Sequence, residues 1–173
     1  MIKQDLLENQ VKLSYLAIGS NLGNKIENLE RAKFELLYNK IKIIKCSSNF
    51  ESKSWPNSSN PKFINIVVEI KTNLAPLKLL KKCNLIEKKL GRKRSIKNAP
   101  RSCDIDIIDY EQQILNLKCD NLILPHPRMS KRNFVLLPLF EINNSWKHPK
   151  SKKNIVNLLN SLSIKDLRSI KQI

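Results

Sequence analysis

The stretch from Phe63 to Lys71 constrains this chain more than any other part of it. Ile64, Ile66, Val68 and Ile70 recur with period two, the spacing of a strand that buries one face. Phe63, Asn65, Val67 and Glu69 must then face the other way. A helix would scatter the four aliphatic side chains around its circumference, so the segment demands a sheet with a covered face.

The neighbouring segments supply the cover. Leu13 to Ile18 reads as a buried strand ending at Gly19, and Gly19-Ser20-Asn21-Leu22-Gly23 reads as a strand-to-helix turn needing positive φ. Asn24 caps a helix, with Glu27 in capping-box position and Ile26, Leu29, Ala32 and Leu36 as its apolar stripe, ending near Asn39. A second strand opens at Ile41 and runs to about Ser52, followed by turn chemistry from Lys53 to Pro61. After the Phe63 strand, Pro76 starts a second helix that turns Leu80, Cys83, Ile86 and Leu90 inward and stops at Gly91. A basic loop from Arg92 to Arg101 leads to a fourth strand, Cys103 to Tyr110. A hairpin-like return at Ile114–Leu117, an apolar run at Leu122–Leu124, and helices at Asn133–Ile142 and Ile155–Leu162 follow.

Strand-helix-strand-strand-helix-strand is the split βαβ order. It predicts an α+β, ferredoxin-like βαββαβ antiparallel sheet with both helices on one face. The other face is then left for a ligand or for the C-terminal elements. One domain is expected over 13–162, with a flexible leader at 1–12 and a C-terminal tail at 163–173.

Charge bears on function only after its source is weighed. Against 15 Asp+Glu stand 32 Lys+Arg, giving +17, yet only seven of the basic residues are arginine. Such a Lys excess is a weak sign of phosphate affinity, whether on a polymer or a nucleotide. No apolar run approaches a membrane span and the start lacks a signal-peptide core, so a cytoplasmic protein without a membrane partner is expected. Cys46, Cys83, Cys103 and Cys119 are too scattered for a zinc motif and read as reduced thiols.

The sharpest chemical feature is Arg101-Ser102-Cys103-Asp104-Ile105-Asp106-Ile107-Ile108-Asp109. On a strand, Asp104 and Asp106 share a face with Cα atoms about 6.5–7 Å apart, while Ile105 and Ile107 enter the core. Paired carboxylates on an open face call for a cation, and magnesium is the usual choice where phosphates complete the shell. Arg92, Arg94, Arg101 and Arg132 concentrate four of the seven arginines around this strand. A planar guanidinium fork suits phosphate, so the combination points to a polyphosphate ligand. Phe63 and Asn65, together on the outward side of their strand, offer a ring and an amide to a flat heterocycle.

Taken together, these stretches resemble the 6-hydroxymethyl-7,8-dihydropterin pyrophosphokinase family. The matching blocks are Ala17 to Gly23, Pro61 to Asn65, Ile86 to Arg94, Ala99 to Ile107, Leu124 to Arg128 and Arg132 to Leu139, in unbroken order between about Leu13 and Pro149. The resemblance implies an α/β/α sandwich and transfer of the β,γ-diphosphate of ATP to the hydroxymethyl group of the pterin, releasing AMP. It also implies two magnesium ions on Asp104 and Asp106, with Arg92 and Arg101 stabilising the transferring group. Glu87, Arg94, Arg101, Ile107, His126 and Arg132 fall at ATP-binding positions. Phe63 and Phe134 would sandwich the pterin, Asn65 would read its polar edge, and Ser52, Lys53 and Trp55 would add contacts. A monomer with small-molecule partners and no nucleic acid is the expectation that goes with it.

The sequence departs from the family pattern in three places. Lys97-Asn98-Ala99-Pro100 stands where a Trp-Gly-Pro-Arg version is common, the segment at Ser52-Lys53 lacks a proline, and Pro127 replaces an aromatic residue. The competing reading is an RNA-binding module of the same βαββαβ order. Such a module needs exposed aromatics in a K/R-G-F/Y-G/A-F-V-x-F/Y segment, which the sequence lacks.

Overall fold

A computed structural model describes residues 10–54, 57–92 and 99–173. Its strands are β1 (Lys12–Ser20), β2 (Lys42–Cys46), β3 (Phe50–Ser52), β4 (Phe63–Thr72), β5 (Asp104–Tyr110), β6 (Leu115–Leu117), β7 (Leu122–Leu124) and β8 (Ile170–Gln172). The helices are α1 (Lys25–Tyr38), α2 (Pro76–Lys89), α3 (Asn133–Ile142), α4 (Ile155–Asn160) and α5 (Ile164–Arg168). The main sheet runs β5-β1-β4-β3-β8, with β2 also paired to β4, and every pairing is antiparallel. The expected α+β, ferredoxin-like sheet is therefore present. Among the described residues, no helix is long and apolar enough to cross a membrane.

The period-two reading of β4 holds on both of its faces. Ile64, Ile66, Val68 and Ile70 join Leu16 and Ile18 of β1 in a core under α1 and α2, built from Leu29, Ala32, Leu36, Leu79, Cys83 and Ile86. Val67 faces away into a second core with Tyr15, Ile108, Met129, Val135, Leu136, Leu139, Trp146, Ile155 and Leu158. The sheet is thus covered on both sides, and α3 and α4 occupy the surface an RNA-recognition sheet would leave open. Burying a leucine or isoleucine side chain contributes about 1.5–3 kcal/mol, so these two layers dominate the favourable side of folding.

Several local expectations are corrected. The strand expected from Ile41 to Ser52 is two strands, β2 and β3, parted at residues 47–49, and β2 itself carries a register shift between Ile43 and Lys45. Ser47 then takes the place of a ladder residue, its N–H donating to Val67 O at 2.9 Å while its hydroxyl accepts from Val67 N at 3.0 Å. Asn24 does cap α1, accepting from Glu27 N at 3.2 Å, but Ile26 stays exposed. On α2, Leu79 rather than Leu80 is fully buried. Gly19 lies inside β1 with no positive φ, so of the five-residue turn only Gly23, at φ 67°, needs a glycine conformation. Residues 163–173, set apart as a tail, form α5 and β8, and β8 extends the sheet by pairing with β3. All four cysteines are free thiols, and burial, with Glu87 nearby, pushes Cys103 up to about 12.

Candidate active site

The end of the sheet where β1 finishes and β4 and β5 begin carries the functional side chains. β5 sets the acid pair: Ile105 and Ile107 are buried in the first core, which forces Asp104 and Asp106 to the opposite face. The sheet register then lines up Asp104, Gly19 and Asn65 in one row across β5, β1 and β4. Asp106, Ala17 and Val67 form the next row.

Arginines from three separate segments converge on the two acids. Arg92, just past α2, donates to Asp104 at 2.5 Å and also pairs with Glu87. Arg101 pairs with the other Asp104 oxygen, and Arg132 reaches Asp106 at 2.9 Å from 26 residues away. Glu87 is buried and accepts the Ile105 N–H at 2.7 Å, so one carboxylate fixes both Arg92 and the β5 backbone. Burial works against the charge on Arg92, yet the carboxylates of Asp104 and Glu87 outweigh it and hold the guanidinium even more firmly protonated than usual.

His126 stands beside Asp106, with Nε2 3.7 Å from Oδ2. Its Nδ1 accepts from Arg128 N at 3.2 Å, which leaves the proton of the neutral ring on Nε2, facing the acid. Burial lowers its pKa, and Asp106 offsets only part of that effect. From Asp106 and His126 a cleft of about 450 Å³ opens outward between Leu80, Ile107, Ile123 and Arg128. Lys118 and Asn121 on its walls carry no local signal in the sequence, and Arg128, the last residue of the Leu124–Arg128 block, joins them there.

On the other side of the row, polar side chains meet aromatic rings. Asn65 Nδ2 donates to Ser52 Oγ at 2.9 Å and to Phe50 O at 3.4 Å, which leaves its Oδ1 to accept from a ligand. The Arg101 guanidinium sits 5.2 Å above the Phe63 ring, and Arg132 sits 5.4 Å above Phe134. Lys53 is exposed next to Ser52. Trp55 and Arg94 lie outside the described residues.

Asn21 joins the two halves of the site. It is buried, donates to Ser54 Oγ at 3.2 Å and Pro61 O at 3.1 Å, and accepts from Arg101 N at 2.8 Å. Its place between Gly19 and Gly23 marks it in the sequence only as a turn residue, and its reach to Arg101, 80 residues on, has no local signal.

Asp104 and Asp106 fit magnesium by chemistry: they are hard oxygen donors on one face, and Asp106 is partly open to solvent at 36% side-chain exposure. Two protein oxygens leave most of an octahedral shell to water and phosphate, which is usual for magnesium–nucleotide sites. The buried Nε of Arg101 has no hydrogen-bond partner among the described residues, a donor suited to an anionic ligand.

Comparisons with known proteins agree with this geometry. The sequence profile of 7,8-dihydro-6-hydroxymethylpterin-pyrophosphokinase (HPPK) matches residues 15–144. The 2-amino-4-hydroxy-6-hydroxymethyldihydropteridine pyrophosphokinase of Aquifex aeolicus is 40% identical over 139 residues, covering 80% of this chain and 85% of that protein. Its Bacillus subtilis counterpart is 39% identical over 132 residues, covering 75% and 77%. The folic acid synthesis protein fol1 of Pneumocystis carinii is 37% identical over 156 residues, which is 90% of this chain but only 21% of that protein. A crystal structure of Plasmodium falciparum HPPK-DHPS shares the fold at TM-score 0.74 and 17% identity, over 96% of this chain and 47% of that one. This chain therefore spans about a fifth of the Pneumocystis protein and just under half of the Plasmodium chain. The RNA-binding alternative finds no support in any of these likenesses.

Proposed function

The chain belongs to the 7,8-dihydro-6-hydroxymethylpterin-pyrophosphokinase family, and from that membership we propose that it transfers the β,γ-diphosphate of ATP to the hydroxymethyl group of 6-hydroxymethyl-7,8-dihydropterin, releasing AMP. The observation that carries the reading is the convergence of Arg92, Arg101 and Arg132 on Asp104 and Asp106. Displacement at phosphorus needs alignment and charge neutralisation more than a strong base. Asp104 and Asp106 would hold the two magnesium ions this reading calls for, which would supply positive charge against the polyphosphate.

The chain's own residues divide the rest of the work. Arg92 and Arg101, already gathered at Asp104, would offer their guanidinium forks to the transferring diphosphate. The 450 Å³ cleft beside Asp106 takes the nucleoside of ATP, with Ile107 and His126 on its walls and Arg132 paired to the Asp106 that lines it. Glu87 acts from behind, keeping Arg92 and the start of β5 in place. On the far side, Phe63 and Phe134 stack the pterin while Asn65 Oδ1 accepts from its amino edge, with Ser52 bracing Asn65 and Lys53 adding a contact. Trp55 and Arg94 keep the pterin and ATP roles that the family resemblance assigns them. The same reading makes the protein a cytoplasmic monomer with small-molecule partners.

Incubation with ATP, magnesium and the hydroxymethyl dihydropterin, scored for AMP against ADP, tests the proposal. Pterin-dependent AMP is expected, and ADP or pterin-independent release would refute it. Asp104→Asn should lower turnover by at least about 10²–10³-fold while the protein stays folded. Turnover close to that of the parent would remove Asp104 from the assignment.

A further inference from the structure

Gly19 is a costly choice for its position. It sits within β1 at an ordinary strand conformation, with no positive φ to require glycine. Glycine inside a strand weakens it and commonly marks a place where something approaches closely. What approaches here is visible in the register: Gly19 pairs with Asn65 on one side and Asp104 on the other. Neighbouring strands lie about 4.8 Å apart, so the Asp104 and Asn65 backbones are about 10 Å apart across a row with no side chain in its middle. Ala17, two residues earlier on the same face, keeps the next row low as well.

A β-carbon at Gly19 would lie 2.9 Å from Asn65 Oδ1 and 3.4 Å from the Phe63 ring. Asn65 cannot swing aside freely, because its Nδ2 is tied to Ser52 Oγ and Phe50 O and the residue is 6% exposed. The atom that a side chain would strike is the acceptor left free for the heterocycle. A methyl group at this position therefore acts on the pterin side of the row first.

We infer that Gly19 is a positioning and specificity residue: the bare stretch of β1 between Asp104 and Asn65 seats the hydroxymethyl arm of the pterin against the diphosphate held over the acids. The inference rests on the pyrophosphokinase reading and adds to it the place where the two substrates meet. It predicts that any side chain at Gly19 will penalise the pterin and spare ATP.

The chain has three glycines, preceded by Ile18, Leu22 and Leu90, so the protein labelled with ¹⁵N-glycine gives three amide signals and ¹³C-carbonyl isoleucine singles out Gly19. Hydroxymethyl dihydropterin is titrated into this labelled full chain with magnesium and a non-hydrolysable ATP analogue, in parallel with calorimetry. The Gly19 signal should shift most on saturation, with Gly23 and Gly91 nearly still. An unmoved Gly19 signal while calorimetry shows pterin binding overturns the inference and leaves the family reading intact. Absence of pterin binding overturns the substrate reading and the inference with it. In Gly19→Ala the pterin affinity should fall at least tenfold with ATP affinity within twofold; equal losses, or none, also overturn it. If that variant does not fold, the unmodified chain's glycine signals still decide.

Discussion

Replacing Asn21 by alanine should loosen the site from both substrate sides at once. Its side chain makes three hydrogen bonds, two donated to Ser54 Oγ and Pro61 O and one accepted from Arg101 N. At about 1 kcal/mol net each, their loss costs about 3 kcal/mol. The groups left behind are not equally harmed. Pro61 O still accepts from Ser54 Oγ at 2.6 Å, whereas Arg101 N loses its acceptor, so the damage concentrates on the arginine that holds Asp104. In a domain of this size 1 kcal/mol shifts the midpoint by roughly 2–4 °C, so thermal unfolding followed by circular dichroism should drop by about 6–12 °C. Turnover should fall together with pterin affinity, since Arg101 and the Ser54–Pro61 segment lose their common tie. Asn21→Asp separates the two arms: it keeps the acceptor for Arg101 N but turns an oxygen toward Pro61 O. A midpoint within about 2 °C of the parent for Asn21→Ala would refute the hydrogen-bond reasoning. An unchanged kcat despite the lower midpoint would refute the claim that Asn21 couples the halves.

Two further perturbations test the surrounding structure. Burial lowers the pKa of His126 and of His148, so unfolding lets each bind a proton at a pH where the folded state does not. Stability should be fully present above the unfolded value of about 6.5 and decline as pH falls from there through the folded pKa values. Melting curves between pH 7.5 and 5 should show the decline, and His148→Gln should flatten it; a slope identical to the parent's would exclude His148 as a contributor. Trp146→Phe removes the 2.8 Å bond from the indole N–H to Asp109, expected to cost about 2 kcal/mol because the acceptor is a buried carboxyl. Urea titration checks this, and an unchanged midpoint would show that the Gln112 bonds alone satisfy Asp109.

What could be read along the chain was whatever depends on residues two to four apart. Strand pleat and helix turn act over that range, so the Ile64–Ile70 alternation predicted the buried face of β4, and the i, i+2 spacing predicted the shared face of Asp104 and Asp106. The concentration of arginine near the acids was equally plain in the sequence, but the partners were not. Arg92 divides itself between Glu87 and Asp104, and Arg132 takes Asp106, because sheet register and helix packing bring together segments separated by loops. Asp109 shows how far local periodicity can mislead. Strict alternation puts it on the core side with Ile105 and Ile107, yet a register shift opposite Tyr15 and Leu16 leaves Ile108 as an extra residue and returns Asp109 to the second layer, against Trp146. Likewise β8 became a strand only by finding the free edge of β3, and Gly19 gained its importance from the side chains across from it. Pattern alone determined the inward face of an unbroken element such as β4, because pleat and turn act within a single element. Which outward residues meet was settled only by tertiary structure, because contacts between distant segments follow from how whole elements pack.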